Sequence, residues 1–354
     1  MITNLACSLS RRRPRHGQKG MSLIELMIGM AIGLALLGAL GSLYVSTSKA
    51  RSEFNKTGEQ VENGRYALES IVRDVEMAGF YGRPGLGSGA TYNVPDPCAI
   101  GQPAFSSTTA GTPVPVAVSG LPVGAAAPTC LTNMVPNSEV LTVRYASSVP
   151  TTAASIASGE YYVQLSTCAT DTTPLVYDTT AAKFVLQTKP CDGTKAELRK
   201  YVVRSYYLAS CDSCGTNADT TPTLKVAEFI NGSIQVSSLV NGVQDVHYSY
   251  GVDTDGNGSP DCYVDNPAVD NSASCTTSAG YAWTNATTNW SNVTAVRVTL
   301  LSRNLTVTTG WSDTRSYSLN GRAAQGSPYN DGYKRHVYGA LARIWNIGGL
   351  RESP

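Results

Sequence analysis

The stretch Arg11-Arg12-Arg13-Pro14-Arg15-His16-Gly17-Gln18-Lys19-Gly20-Met21-Ser22-Leu23-Ile24-Glu25, followed by the uncharged residues Leu26 to Val45, decides the reading of this 354-residue chain. Arg11, Arg12, Arg13, Arg15 and Lys19 form a basic cluster that stops at Gly20, as on the cytoplasmic side of a membrane span. The apolar run behind it is long enough to cross a ~30 Å hydrocarbon core as a helix. Inside this apolar sequence stands one acid, Glu25, and a carboxylate within a bilayer costs roughly 2.5–3.5 kcal/mol on insertion scales. It is therefore expected to have a partner and a purpose. Two plainer readings compete. A cleaved secretory signal has an apolar core of only about 7–15 residues before a small-residue site, for which Ala39-Leu40-Gly41 would serve. A simple membrane anchor needs neither the glycine at the charge boundary nor the glutamate.

The apolar segment runs into a helical pattern. Phe54, Val61, Leu68 and Val75 recur every seven residues with Ile71 and Ala78 beside them, and proline is absent between Pro14 and Pro84. One helix is predicted from about residue 22 to 78, apolar all round at first and amphipathic later, with a length of roughly 85 Å at ~1.5 Å per residue. Gly29, Gly33, Gly38 and Gly41 each weaken it by up to about 1 kcal/mol and either let it bend or let neighbouring helices approach. Residues 80–137, rich in Gly, Pro, Ala, Ser and Thr, read as a connecting region. From residue 138 to 354, alternating runs predict strands at Glu139–Tyr145, Glu160–Leu165, Lys183–Leu186, Tyr201–Leu208, Leu224–Ile230, Gly242–Val252, Val293–Leu301 and Val337–Ile347. Val246, Tyr248, Tyr250 and Val252 share one face, as do Val296, Val298 and Leu300. Packing such a mostly antiparallel sheet on the amphipathic half of the helix gives an α+β head.

The segment from Gly17 to Val45 resembles the class III signal of type IV pilins, with Met in place of the commoner Phe at the first mature position. The resemblance implies that residues 1–20 are a leader cut by a prepilin peptidase between Gly20 and Met21, and that Met21 is N-methylated. It implies also that Glu25, fifth in the mature chain, pairs with the N-terminal amine of a neighbouring subunit. Residues 21–79 are then the transmembrane and assembly helix. Gly64-Arg65-Tyr66-Ala67-Leu68, the run Arg73-Asp74-Val75-Glu76-Met77-Ala78-Gly79-Phe80-Tyr81-Gly82, Val293 to Arg303 and Tyr333-Lys334-Arg335-His336-Val337 resemble the large PilW-type minor pilins. Such a protein is a low-abundance structural subunit that helps initiate type IV pilus assembly and sits at or near the tip of the filament used for twitching motility. Its implied partners are other minor pilins, the major pilin, an inner-membrane assembly platform and a large tip adhesin. It is implied to span the bacterial inner membrane once, head in the periplasm, and later to lie in the extracellular pilus. A minor pseudopilin of type II secretion shares the same N-terminal logic. From another class, a calcium-dependent surface adhesin would use the helix only as an anchor.

Composition agrees with export: charged residues are only 15% of the chain. Removing residues 1–20 takes five of 27 Lys and Arg and none of 26 acids, so the balance becomes 22 against 26, about −4, and no nucleic-acid partner is expected. Of nine cysteines, Cys7 leaves with the leader. The eight others, Cys98, Cys130, Cys168, Cys191, Cys211, Cys214, Cys262 and Cys275, read as a disulfide set formed in an oxidising compartment, with sequence neighbours as the suggested pairs. Cys211-Asp-Ser-Cys214 has redox-motif spacing, but without a βαβ setting it reads as a local structural bridge.

One loop has the spacing of a calcium site. Asp253, Asp255, Asn257, the Ser259 carbonyl and Asp261 could surround Ca²⁺, with Gly258 at the sharp turn, although Val264 stands where a bidentate acid is usual and Asp265 comes one place late. Asp and Asn also cap turns on their own, so an ion-free connection competes. No enzyme is expected. His16, His247 and His336 are the three histidines, and the chain holds no HExxH, G-x-S-x-G, Walker loop or helix-opening GxGxxG.

Overall fold

A computed structural model describes residues 20–82, 91–99, 113–276 and 280–352, so the basic leader cluster and Cys7 lie outside the described residues. The chain divides into two units, residues 1–55 and 56–354. Helix α1 (Leu23–Met77) matches the predicted helix to within a residue at each end. In the first unit it leaves every large apolar side chain from Met21 to Val45 exposed.

In the second unit α1 buries Gln60, Gly64, Ala67, Leu68, Ile71, Asp74 and Val75. The seven-residue repeat read from the sequence holds only at its end, since Phe54 is 77% and Val61 39% exposed. The buried stripe advances by three and four residues, the spacing of a helix lying on sheets, whereas a strict seven-residue repeat belongs to a seam between helices.

Strands β1 (Tyr92–Asn93) and β2 (Val114–Pro115) pair in parallel. Strands β3 (Val118–Leu121), β4 (Val140–Thr151), β5 (Tyr162–Leu165), β6 (Leu175–Asp178), β7 (Leu198–Ala209), β8 (Thr223–Ile230) and β9 (Ser233–Asn241) form a seven-stranded antiparallel sheet. Its spine is β7, which pairs with β4 along one edge and with β5 and then β8 along the other. Strands β10 (Val243–Val252), β11 (Cys262–Val264) and β12 (Val293–Arg303) begin a second antiparallel sheet. After a hairpin of β13 (Ser318–Leu319) and β14 (Arg322–Ala323), β15 (Arg335–Arg343) completes that sheet in the order β11-β10-β12-β15. Helix α2 (Ala286–Ser291) lies between β11 and β12 in sequence, and α3 (Trp345–Arg351) follows β15. The fold is α+β, as predicted.

One apolar core joins α1 to both sheets. Ala67, Leu68, Ile71, Val75 and Ala78 meet Leu141, Val143 and Leu208 of the first sheet and the predicted faces Val246, Tyr248, Tyr250, Val252 and Val296, Val298, Leu300 of the second. Asp74, 4% exposed, adds a polar anchor: its carboxylate accepts hydrogen bonds from Tyr145 (2.9 Å), Tyr206 (2.6 Å) and Arg204 (3.1 Å), and Arg204 reaches on to Glu228 at 3.0 Å. A helix acid is thereby tied to β4, β7 and β8.

Three strand expectations change. Phe184 and Leu186 are buried on alternate positions as predicted, but Ala181–Lys183 is a 3-10 turn and the segment finds only the isolated bridge Gln187–Lys195, so no strand forms over Lys183–Leu186. The last run ends as a strand at Arg343, because Ile344 and Ile347 both enter the core at helical spacing through α3. Within residues 80–137, read as a connection, Val114–Pro115 and Val118–Leu121 are strands whose valines are buried. The structure pairs Cys98 with Cys130, Cys168 with Cys191, Cys211 with Cys214 and Cys262 with Cys275.

Gly64 lets α1 approach β15. A Cβ there would stand 2.5 Å from the Tyr338 ring. Gly64→Ala is expected to destabilise the protein by about 1–3 kcal/mol through overpacking, read as a lowered melting temperature; a variant as stable as the parent would contradict this contact.

Candidate functional site

Gly20 and Met21 are exposed, Met21 by 73%, immediately before α1. Glu25 lies in the first turn, where its Oε2 accepts the backbone N–H of Ser22 at 2.9 Å. Ser22-Leu23-Ile24-Glu25 has the spacing of a capping box, and the helix dipole favours an acid at this end. Glu25 Oε1 has no partner among the described residues. A Cβ added at Gly29, Gly33, Gly38 or Gly41 would meet nothing within 4 Å, so none of these glycines packs against another of the described residues. By length and composition α1 contains a segment able to cross a membrane.

In the Asp253 loop, Asp253, Asp255 and Asp261 each bring one carboxylate oxygen within 4.8 Å of the others, a spacing that could hold a cation. These oxygens also have internal work. Asp253 accepts the N–H groups of Gly256 (2.8 Å) and Gly258 (3.0 Å) and is ion-paired with Arg351 of α3 at 2.8 Å. Burial would raise the Asp253 pKa, but Arg351 and the two glycine amides outweigh it and hold the carboxyl below its usual range. Asp261 accepts from Thr254 N–H and Oγ1–H, Asp255 from Asn257, and Asn257 from the Ser259 N–H. Gly258, at φ +88°, lies against the Gly348 carbonyl, so no side chain fits there. Arg351 also reaches the Ser291 carbonyl and Asn292 Oδ1, joining loop, α2 and α3.

A second cluster lies on the outer side of β10. His247, 1% exposed, places Nδ1 3.0 Å from Glu139 and Nε2 3.2 Å from both Ser249 Oγ and Asp265. Arg322 pairs with Glu139 at 3.0 Å, and Asn320 donates to Ser249 at 2.9 Å. Burial would lower the His247 pKa, yet the hydrogen bonds to Asp265 and Glu139 prevail and push it up to about 9. Serine, histidine and carboxylate stand here in the sequence of a nucleophilic triad. The imidazole, however, is held protonated between two acids and has no lone pair with which to take the Ser249 proton. The cluster is a structural clamp. His336, by contrast, is exposed on β15.

Residues 205–346 match the family model of the Type IV Pilus-assembly protein W, and residues 15–41 match the prokaryotic N-terminal methylation motif. Together the two matches support a PilW-type type IV pilin. No curated protein and no solved structure matches the chain. The motif match takes in Gly20, Met21 and Glu25, while the longer match takes in the strands from β8 to β15, the Asp253 loop and the His247 clamp apart from Glu139. In the structure, the residues predicted around calcium lie together on one loop, and those predicted to act in assembly lie at the start of α1. Sequence reasoning missed the clamp, Asp74 and Arg351. The capping-box spacing Ser22-x-x-Glu25 was there to be read; nothing in sequence links Glu139, His247 and Asp265.

Because the His247 pKa rises from 6.5 to about 9 on folding, its stabilisation is complete below pH 6.5 and fades as pH climbs through about 9. The melting temperature is expected to fall more steeply between pH 7 and 10 in the parent than in His247→Gln; parallel profiles would contradict the clamp.

Proposed function

We propose that this pilin is a minor subunit that helps initiate type IV pilus assembly and polymerises through α1, at or near the tip. The observation that carries this reading is the lone acid Glu25 at the head of a helix whose apolar side chains from Met21 to Val45 are all exposed. Such a surface is stable only in lipid or against other apolar helices, because leaving it in water forfeits about 25 cal/mol per Å². Before assembly, the helix spans the inner membrane with the head in the periplasm. Prepilin peptidase cuts between Gly20 and Met21, and Met21 becomes the N-methylated amine terminus. Glu25 Oε2 keeps the Ser22 cap while Oε1 receives the amine of the next subunit, and this pairing offsets the cost of a carboxylate in lipid. The partners are other minor pilins, the major pilin, the assembly platform and a tip adhesin. The match to the type IV pilus model supports a pilus over a type II secretion filament.

Calcium at the Asp253 loop carries a structural condition: the ion must compete with Arg351 for Asp253 Oδ2. On that reading, added Ca²⁺ raises the melting temperature of the parent protein, and more so in Arg351→Ala. A titration without a shift in either protein removes the metal.

In cells whose only copy carries the change, Glu25→Ala and Gly20→Ala are each expected to abolish piliation. Glu25→Gln, which keeps the helix cap but not the charge, is expected to fail as well. Normally piliated, twitching cells carrying any of the three would refute the assembly reading.

A further inference from the structure

The Cys211–Cys214 bridge differs from the other three in its surroundings. It closes a tight loop just after β7, with Cys211 buried at 4% exposure and Cys214 partly exposed. Lys225, on β8, extends beneath this loop. Its side chain is buried, and its Nζ lies 3.3 Å from Cys214 Sγ and donates to the Asp212 carbonyl at 2.8 Å. Among the described residues that ammonium has no carboxylate partner. Two acids of the same loop are turned to other donors: Asp219 accepts the N–H groups of Asp212, Ser213 and Thr221, and Asp212 Oδ2 accepts from Asn241. A buried cation without a counter-ion is costly, and an anion formed beside it is favoured.

We propose that Cys211–Cys214 is a thiol-exchange site of this protein, with Cys214 the sulfur attacked, Cys211 the leaving one and Lys225 the residue that stabilises the Cys214 thiolate. The substrate class is a low-molecular-weight thiol or a protein dithiol. An incoming thiolate attacks the more accessible Cys214 Sγ, forming a mixed disulfide. The Cys211–Cys214 bond breaks, and Cys211 leaves with the electron pair and takes a proton. A second thiolate then attacks the incoming sulfur, releasing its disulfide and Cys214 as a thiolate beside Lys225. Two thiols are oxidised to one disulfide, and one protein disulfide is reduced to a dithiol. Reduction thereby supplies the counter-ion that Lys225 lacks in the oxidised protein. Thiolates next to lysine are a recurring cause of cysteine reactivity. The inference is independent of the pilus reading, since it rests only on the head.

The test uses the full chain in detergent micelles, equilibrated with a series of reduced-to-oxidised glutathione ratios, trapped with N-ethylmaleimide and mapped by peptide mass spectrometry. Cys211–Cys214 is expected to open at a lower ratio than the Cys98–Cys130, Cys168–Cys191 and Cys262–Cys275 bridges. In the selectively reduced protein, Cys214 is expected to alkylate at pH 7 about tenfold faster than in Lys225→Met, with Lys225→Arg retaining the fast rate. Opening no sooner than the other bridges, or an equal rate in Lys225→Met, overturns the proposal. If Lys225→Met does not fold, the parent's alkylation profile decides: a Cys214 midpoint below the ordinary value of about 8.5 supports the site, and one at or above it overturns it.

Discussion

An apolar surface that none of the described residues covers governs this molecule. From Met21 to Val45 the side chains of α1 lie open, and the glycines among them face open space. Water is the worst solvent for that surface, so it calls for lipid or for helices like itself. A carboxylate at the head of the segment is intelligible only beside a group that satisfies its charge. Among the described residues, Glu25 is satisfied by half, through the Ser22 amide, and the proposed intersubunit amine would supply the rest. Anchoring and polymerisation are, on this account, two uses of one stretch of helix.

The head uses the other part of α1 in an opposite manner. There the helix lies in an apolar core shared by both sheets, and Asp74 pins it to Tyr145, Tyr206 and Arg204. A buried carboxylate with three donors is weak evidence of added stability, but removing one partner strands the rest, which makes the register of helix on sheet specific. Strand β10 is buried on both faces: Val246, Tyr248 and Tyr250 enter the core, while Asp245, His247 and Ser249 meet Glu139, Asp265 and the β13–β14 hairpin. At the chain's end, Arg351 closes the Asp253 loop from α3.

Where the sequence carries a period, it was legible. The extent of α1 and the inward faces of β10 and β12 follow from spacing and from the absence of proline. The buried helix face departs from the seven-residue spacing, because Phe54 and Val61 fit a repeat that the sheets do not use. β9 follows a strong two-residue hairpin signal, Asn231-Gly232, both at positive φ, but its polar, half-exposed residues hide the alternation. Among site residues, Gly20, Met21 and Glu25 are legible because their motif is local. Asp74 with Arg204, and Glu139 with His247, are not, because each pair is brought together only by the packing of distant strands.

The mass and chemistry of the mature N-terminus test the central claim most directly. Purified from its native membrane or filament, the protein is predicted to begin at an N-methylated Met21, the form that leaves an amine for the next subunit's Glu25. A protein that keeps its first twenty residues, or one that begins near residue 42 with the apolar segment removed, would contradict the account.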